Sequence, residues 1–405
     1  MDRIYSSRDF YDRQWEQRHF QDLLSRGQNI LISAPRRVGK TELAYMLLDW
    51  AHSQGWRTAY GDVQDAKDEA DFLNELAKML TKVGASKGAV NTLMEAGTAL
   101  RRLLPGLKYT AEGQSVELKF NPEVEDALSE VERCFDLLIT SLTEKAEKFM
   151  LCLDEMPIFL SKLCKETNGE ARAAHILHWF RKLRNAPNLR HVRWLLCGSI
   201  GLDTFVEQRG LAGTINDLKP EKLGPFEGPI AIEFVKLRAR LGVEAFAMPD
   251  DVAAEVVGRV GWALPFYLKL MVDEMQAIPP RQRSKNFPSS ADVEAAFAVL
   301  VSSDKQVQFR HWVSRLELQF GIAVTQRVHV ILKACCQKPA GMSKSRLRQL
   351  MIKRQPEGDV ETLERELVLL LSILQRDGYL HSEDGTRWVF RSFLLRDFWK
   401  NHVVY

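Results

Sequence analysis

Two hydrophobic periodicities divide the chain. Short, nearly unbroken apolar runs occupy residues 29–33, 58–63, 149–155, 192–197 and 218–223. Runs of that length bounded by polar residues predict buried strands, and five of them with helices between predict an α/β fold around a parallel sheet covered on both faces. Elsewhere the apolar positions recur at helical spacing. Leu43, Ala44, Leu47, Leu48 and Ala51 mark one helix face, residues 170–185 a second helix, and residues 226–276 a helical stretch interrupted at 261–265.

Residues 277–290 hold three prolines and no acid, which predicts a linker. Helix returns over 292–321, where Phe297, Phe309, Trp312, Leu316 and Phe320 supply an aromatic packing face. The final segment predicts helices at 325–337, 343–353 and 360–377, then two strands around 383–385, the pattern of a winged helix. Residues 107–120 alternate about Glu112 and Gly113 and predict a β-hairpin inside an insertion at 84–126, to which no chemistry is assigned.

The first strand runs directly into APRRVGKT, residues 34–41: Ala34, Pro35, Arg36, Arg37, Val38, Gly39, Lys40 and Thr41, with Glu42 next. This is a phosphate-loop pattern. Curled backbone N–H groups cradle an anion, Gly39 keeps side chains out, and the following helix points its positive end at the phosphates. Lys40 is placed for the β- and γ-phosphates of ATP and the Thr41 hydroxyl for Mg2+. Ala34 stands where the pattern GxxxxGK[ST] has its first glycine. The strand FMLCLDE, residues 149–155, supplies the acids such a loop requires: Asp154 for Mg2+ and Glu155 to orient and deprotonate the attacking water. Ser199 ends the strand at 192–197 and is a candidate sensor of the γ-phosphate or the water.

Composition narrows the partners. The chain is 45% hydrophobic and 27% charged, so it reads as globular. No apolar run reaches membrane-spanning length, and the first residues mix charges and aromatics, so neither a membrane partner nor a secretory signal is expected and a cytoplasmic location is. Six cysteines without CxxC spacing read as reduced packing residues, and nine histidines without ligand spacing argue against structural zinc. A net charge of +3 does not by itself imply nucleic acid. Within residues 322–405, however, 14 Lys/Arg face 9 Asp/Glu, and residues 338–354 hold six basic side chains and no acid. Lys344, Arg346, Arg348, Lys353 and Arg354 could touch a phosphate backbone. Glu361, Glu364 and Glu366, at the start of the third helix, oppose groove reading.

In these pieces the chain resembles the prokaryotic, archaeal-type AAA-like ATPases within the STAND class of P-loop ATPases. The resemblance rests on FYDRQWE at 10–16, APRRVGKT, LCLDE, LLCGS at 195–199, WALPFYL at 262–268 and FRSFLLRDFWK at 390–400. It implies a P-loop NTPase (AAA+/STAND-like) five-stranded sheet of order 5-1-4-3-2 over residues 1–225. It further implies a helical lid over 226–280, a linker and connecting helix over 281–321, and a winged helix over 322–405. It places Pro265 near the adenine, although Trp262 and Ala263 stand where such proteins often have two glycines, and it places Arg13 beside the adenine pocket. Arg181 and Arg184, with Arg190 after them, sit where AAA+ relatives carry an arginine that reaches a neighbour's γ-phosphate in a homo-oligomer.

Three readings follow. The first is an ATP-hydrolysing switch whose nucleotide state controls lid and winged helix, and through them an effector or regulatory protein on a separate chain. The second is a DNA-associated ATPase, a loader or remodeller. The third is a scaffold that binds nucleotide without hydrolysing it, which the pair Asp154 and Glu155 opposes.

Overall fold

The computed structural model describes residues 11–83, 148–199, 201–302, 307–354 and 359–403, with 91, 94, 95, 98 and 305. The hairpin expected at 107–120 and nearly all of the insertion lie outside the described residues. The chain divides into two compact units, one of residues 1–34 and 40–223, the other of residues 35–39 and 224–405.

In the first unit the five apolar runs become β1 (Asn29–Ser33), β2 (Arg57–Asp62), β3 (Phe149–Asp154), β4 (Val192–Gly198) and β5 (Leu218–Lys222). All pairings are parallel, and the order β2-β3-β4-β1-β5 is the expected 5-1-4-3-2 read from the other edge. Every residue of β3 is buried, as befits a central strand covered on both faces. The edge strand β5 exposes Lys219, Pro220 and Lys222, charge and proline that discourage pairing with another chain. Among the described residues, helices α1 (Gln14–Ser25), α2 (Lys40–Ser53), α3 (Glu69–Lys82), α4 (Met156–Leu163), α5 (Gly169–Arg184) and α6 (Leu202–Glu207) accompany the sheet. Leu43, Ala44, Leu47, Leu48 and Ala51 form the buried face of α2, matching their spacing. A stacked Phe72–Phe159 pair and an edge-on Phe180–Trp194 contact, each with centroids about 5 Å apart, fill the core on one side of the sheet.

The register determines where chemistry can occur. Ser33 pairs with Gly198, and Asp154 pairs with both Asp62 and Cys197, so the carboxyl ends of β1, β2, β3 and β4 finish together. Because β4 lies between β1 and β3, the loops leaving β1 and β3 flank the crevice where open α/β sheets bind ligands.

The second unit is helical, with α7 (Gly228–Ala239), α8 (Asp250–Val260), α9 (Pro265–Ala277), α10 (Ser290–Leu300) and α11 (Val307–Cys336). The helix expected over 292–321 is two pieces, since α10 ends at Leu300. The expected break before the next helix narrows to Gly321, whose φ of 70° and ψ of 170° bend α11. The segment expected as a linker is pinned: Ser284 and Ser289 both donate to the Asp292 carboxylate, which closes a capping box on α10. These bonds hold the Asp292 pKa below the usual range despite its burial.

The unit ends with β6 (Met342–Ser343), α12 (Lys344–Arg354), α13 (Val360–Arg376), β7 (Leu380–His381), β8 (Arg387–Phe390) and α14 (Phe393–His402), the strands forming an antiparallel sheet of order β6-β8-β7. Trp262 packs against Gly378 so closely that an added Cβ would lie 2.1 Å from the indole. That site also has φ of 87°, so both space and backbone require glycine. Phe297, Phe309, Trp312 and Leu316 are buried as expected, whereas Phe320 is half-buried.

Candidate functional site

The loop after β1 closes onto α2 through Gly39, at φ of 97°, and the left-handed Arg37, at φ of 69°. Lys40 is the first residue of α2 and is buried, its Nζ donating to the Ala34 carbonyl at 2.9 Å. Thr41 follows, with Oγ1 donating to Asp154 Oδ2 at 3.2 Å. A helix of 14 residues begins here, so its first free N–H groups and the positive end of its dipole coincide with the lysine.

Asp154 is 3% exposed at the end of β3. Its Oδ2 also accepts from Tyr60 at 2.9 Å, and its Oδ1 accepts from the Glu155 N–H at 2.9 Å. Burial raises the Asp154 pKa and the neighbouring Glu155 charge adds to it, with Lys40 and Tyr60 offsetting part. A carboxylate kept so dry, touching a hydroxyl and near an ammonium, is poised for a cation. Hydroxyl and carboxylate are the hard oxygens that Mg2+ takes. The donor set therefore fits Mg2+ and a phosphate chain.

Glu155 adopts φ of 59° and ψ of 28°, a left-handed conformation that costs a non-glycine residue about 1 kcal/mol or more. Its Oε2 accepts from both the Ser199 N–H and the Ser199 Oγ at 2.9 Å, so the expected base and the expected sensor are in direct contact. This carboxylate is 9% exposed, and the serine fixes its direction.

Lys40, Thr41, Asp154, Glu155 and Ser199 thus come together in the first unit. Arg13, at 5% exposure, holds Glu16 at 2.8 Å and opens α1 with a left-handed backbone. Pro265 is the first residue of α9, where a missing N–H costs nothing. In the second unit the Arg37 guanidinium lies 4.0 Å from the ring centroid of the adjacent Phe266. Pro35, Arg36 and Gly39 are partly exposed, Ala34 and Val38 are buried, and Glu42 is half-buried in the first turn of α2.

Arg184, expected as a trans contact, is engaged within its own unit: its side chain is 1% exposed, paired with Asp217 at 2.8 and 2.9 Å, bonded to the Thr214 carbonyl and stacked on Phe180. A guanidinium so fully engaged holds its own unit together. Arg181 is half-buried and Arg190 exposed. Tyr60 was missed by sequence reasoning. Its only signal is a place in β2 opposite Cys152, two residues before Asp154, and that register is invisible before the sheet order is known.

Residues 3–90 match the AAA-like domain family. Among curated proteins, none matches the sequence. Among solved structures the chain is similar to the Walker-type ATPase PABY2304 of Pyrococcus abyssi, with TM-score 0.60 and 17% identity over 97% of this chain and 96% of that one. Two looser likenesses, each with TM-score 0.46 and 13% identity over 98% of this chain and 96% of the other, are to the ORC2 protein of Aeropyrum pernix and to Cdc6p of Pyrobaculum aerophilum. The likeness to the solved structure with TM-score 0.60 is one of fold, and the loop of residues 34–41 has the phosphate-loop pattern. The amino-terminal part of this chain groups with the AAA-like domains.

Proposed function

We propose that the chain is a Mg2+-dependent ATP phosphohydrolase acting as a molecular switch. The observation that carries this reading is the 3.2 Å contact between Thr41 Oγ1 and Asp154 Oδ2 beside the buried Lys40, with Glu155 next in the chain. When bound, Mg2+ with ATP supplies charge neutralisation along the phosphates. Lys40 exchanges its bond to the Ala34 carbonyl for phosphate oxygens, and Thr41 and Asp154 hold the cation side. Glu155 accepts the proton of the attacking water, and Ser199 controls whether its carboxylate faces that water or the serine.

A switch also needs an output. Residues 35–39 of the loop fold with the second unit, where Arg37 rests on Phe266, so a rearrangement at the loop reaches that unit's own packing. We assign residues 226–280 as the lid, 281–321 as the connection, and 322–405 as a winged helix reporting to a partner protein. A soluble, cytoplasmic location and a trans contact, for which the half-buried Arg181 has more exposure than Arg184, belong to the same proposal.

The DNA-associated alternative draws on the exposed Arg346, Lys353 and Arg354, yet Arg348 pairs with Glu364 at 3.2 Å and Arg346 bonds Gln349. Turnover measured with and without duplex DNA across a salt series separates the readings: stimulation that fades with salt favours DNA. For the main proposal, phosphate release should require Mg2+ and be abolished by EDTA. Thr41→Ala or Asp154→Asn should lower it about a hundredfold or more; metal-independent release would refute the assignment.

A further inference from the structure

The phenol of Tyr60 belongs neither to the loop nor to the paired acids, yet it reaches the same carboxylate. Tyr60 lies in β2 opposite Cys152 of β3, two residues before Asp154, and its hydroxyl donates to Asp154 Oδ2 at 2.9 Å. Thr41 Oγ1 donates to that same oxygen at 3.2 Å, while Oδ1 accepts from the Glu155 N–H at 2.9 Å. Both carboxylate oxygens are therefore held. Turning Asp154 about its Cβ–Cγ bond disrupts donors on both sides.

The three donors are not equivalent. The Glu155 N–H follows Asp154 in the chain and moves with it. Thr41 is itself assigned to the cation, so its hydroxyl serves two partners. Tyr60 comes from a neighbouring strand, and neither phosphate nor cation claims it. A phenol keeps its proton at neutral pH, so this hydroxyl is a donor to the carboxylate.

The ring is braced as well. It stacks on Tyr45, with centroids 4.8 Å apart and planes 29° apart, and Tyr45 belongs to α2, the helix that opens with Lys40 and Thr41. Strand β2 fixes one end of the side chain, Tyr45 one face of the ring, and Asp154 the hydroxyl. All these residues lie in the first unit. Removing a partner that orients a metal-binding carboxylate typically costs about 10- to 100-fold in metal affinity.

We infer that Tyr60 is a positioning residue for the divalent cation, its hydroxyl holding Asp154 Oδ2 in the direction from which it serves the metal. This role rests on the Mg2+–ATP reading above and extends it to a residue outside the loop. A plainer role, in which Tyr60 and Tyr45 only pack β2 against α2, leaves the hydroxyl dispensable.

The test measures binding rather than turnover. The full chain is titrated by calorimetry with adenylyl imidodiphosphate, a non-hydrolysable ATP analogue, in EDTA and again at saturating Mg2+; the ratio of the two affinities is the gain due to the cation. Tyr60→Phe keeps the ring and its stack and removes the hydroxyl. The wild type should bind more tightly with Mg2+, and Tyr60→Phe should cut that gain about tenfold while its affinity in EDTA stays within about twofold of the wild type. One site per chain in EDTA verifies that the variant folds. An undiminished or larger gain in Tyr60→Phe would overturn the positioning role and leave the Mg2+ reading standing. Affinity lost equally in EDTA and in Mg2+ would assign the hydroxyl to packing and overturn it too. A wild type without any gain would overturn the Mg2+ reading itself, and the role of Tyr60 with it.

Discussion

At the scale of single residues, the site is defined by what burial does to charge. Asp154 is dry, holds two hydroxyl donors and has a raised pKa, so ionising it in the nucleotide-free protein opposes folding. Asp154→Asn keeps an acceptor for Tyr60 and Thr41 and removes that charge. It should raise the midpoint of nucleotide-free protein near neutral pH by about 2 to 4 °C, equivalent to about 1 kcal/mol, as read by calorimetry; a lower midpoint would mean the charge is already compensated. Arg184 shows the reverse case. Arg184→Ala strands Asp217 and the Thr214 carbonyl and should cost about 3 kcal/mol or more, seen as a lower urea midpoint. Unchanged stability with lost turnover would restore a role toward a neighbour. As candidates, Lys40 and Thr41 were legible because a phosphate loop fixes residue types at fixed spacing, and Asp154 and Glu155 because an apolar strand ends in them. Tyr60 was not, since its relation to Asp154 exists only through strand register. The pairing of Arg184 with Asp217 was not legible either, because helix position alone says nothing of a partner 33 residues on.

At the scale of elements, continuous apolar runs announced the strands, and every described run became a strand within a residue or two of its expected bounds. The second unit was harder to read. Its helices repeat apolar positions clearly, but their breaks depend on single residues: Leu300 ends α10 and Gly321 turns α11. The pinning of the 277–290 segment by Asp292 was hidden because it joins groups eight residues apart through side chains. Gly378 likewise acquires its meaning only from Trp262, distant in sequence. Gly378→Ala demands a left-handed alanine and displaces the indole. It should destabilise the second unit by about 2 kcal/mol or more, visible in thermal unfolding followed by tryptophan fluorescence; an unaltered transition would show that the indole has room to move.

At the scale of the whole molecule, the proposed ATP chemistry draws on the first unit, which holds Lys40, Thr41, Asp154 and Glu155, and the proposed output draws on the helices and short sheet of the second. Sheet order was readable from the sequence through resemblance. The most direct test of the central claim compares ATP binding and phosphate release in the wild type, Lys40→Ala and Glu155→Gln at saturating Mg2+. Lys40→Ala should lose tight ATP binding, whereas Glu155→Gln should bind ATP as the wild type does and release phosphate at least about a hundredfold more slowly. Equal phosphate release by all three proteins would contradict the account.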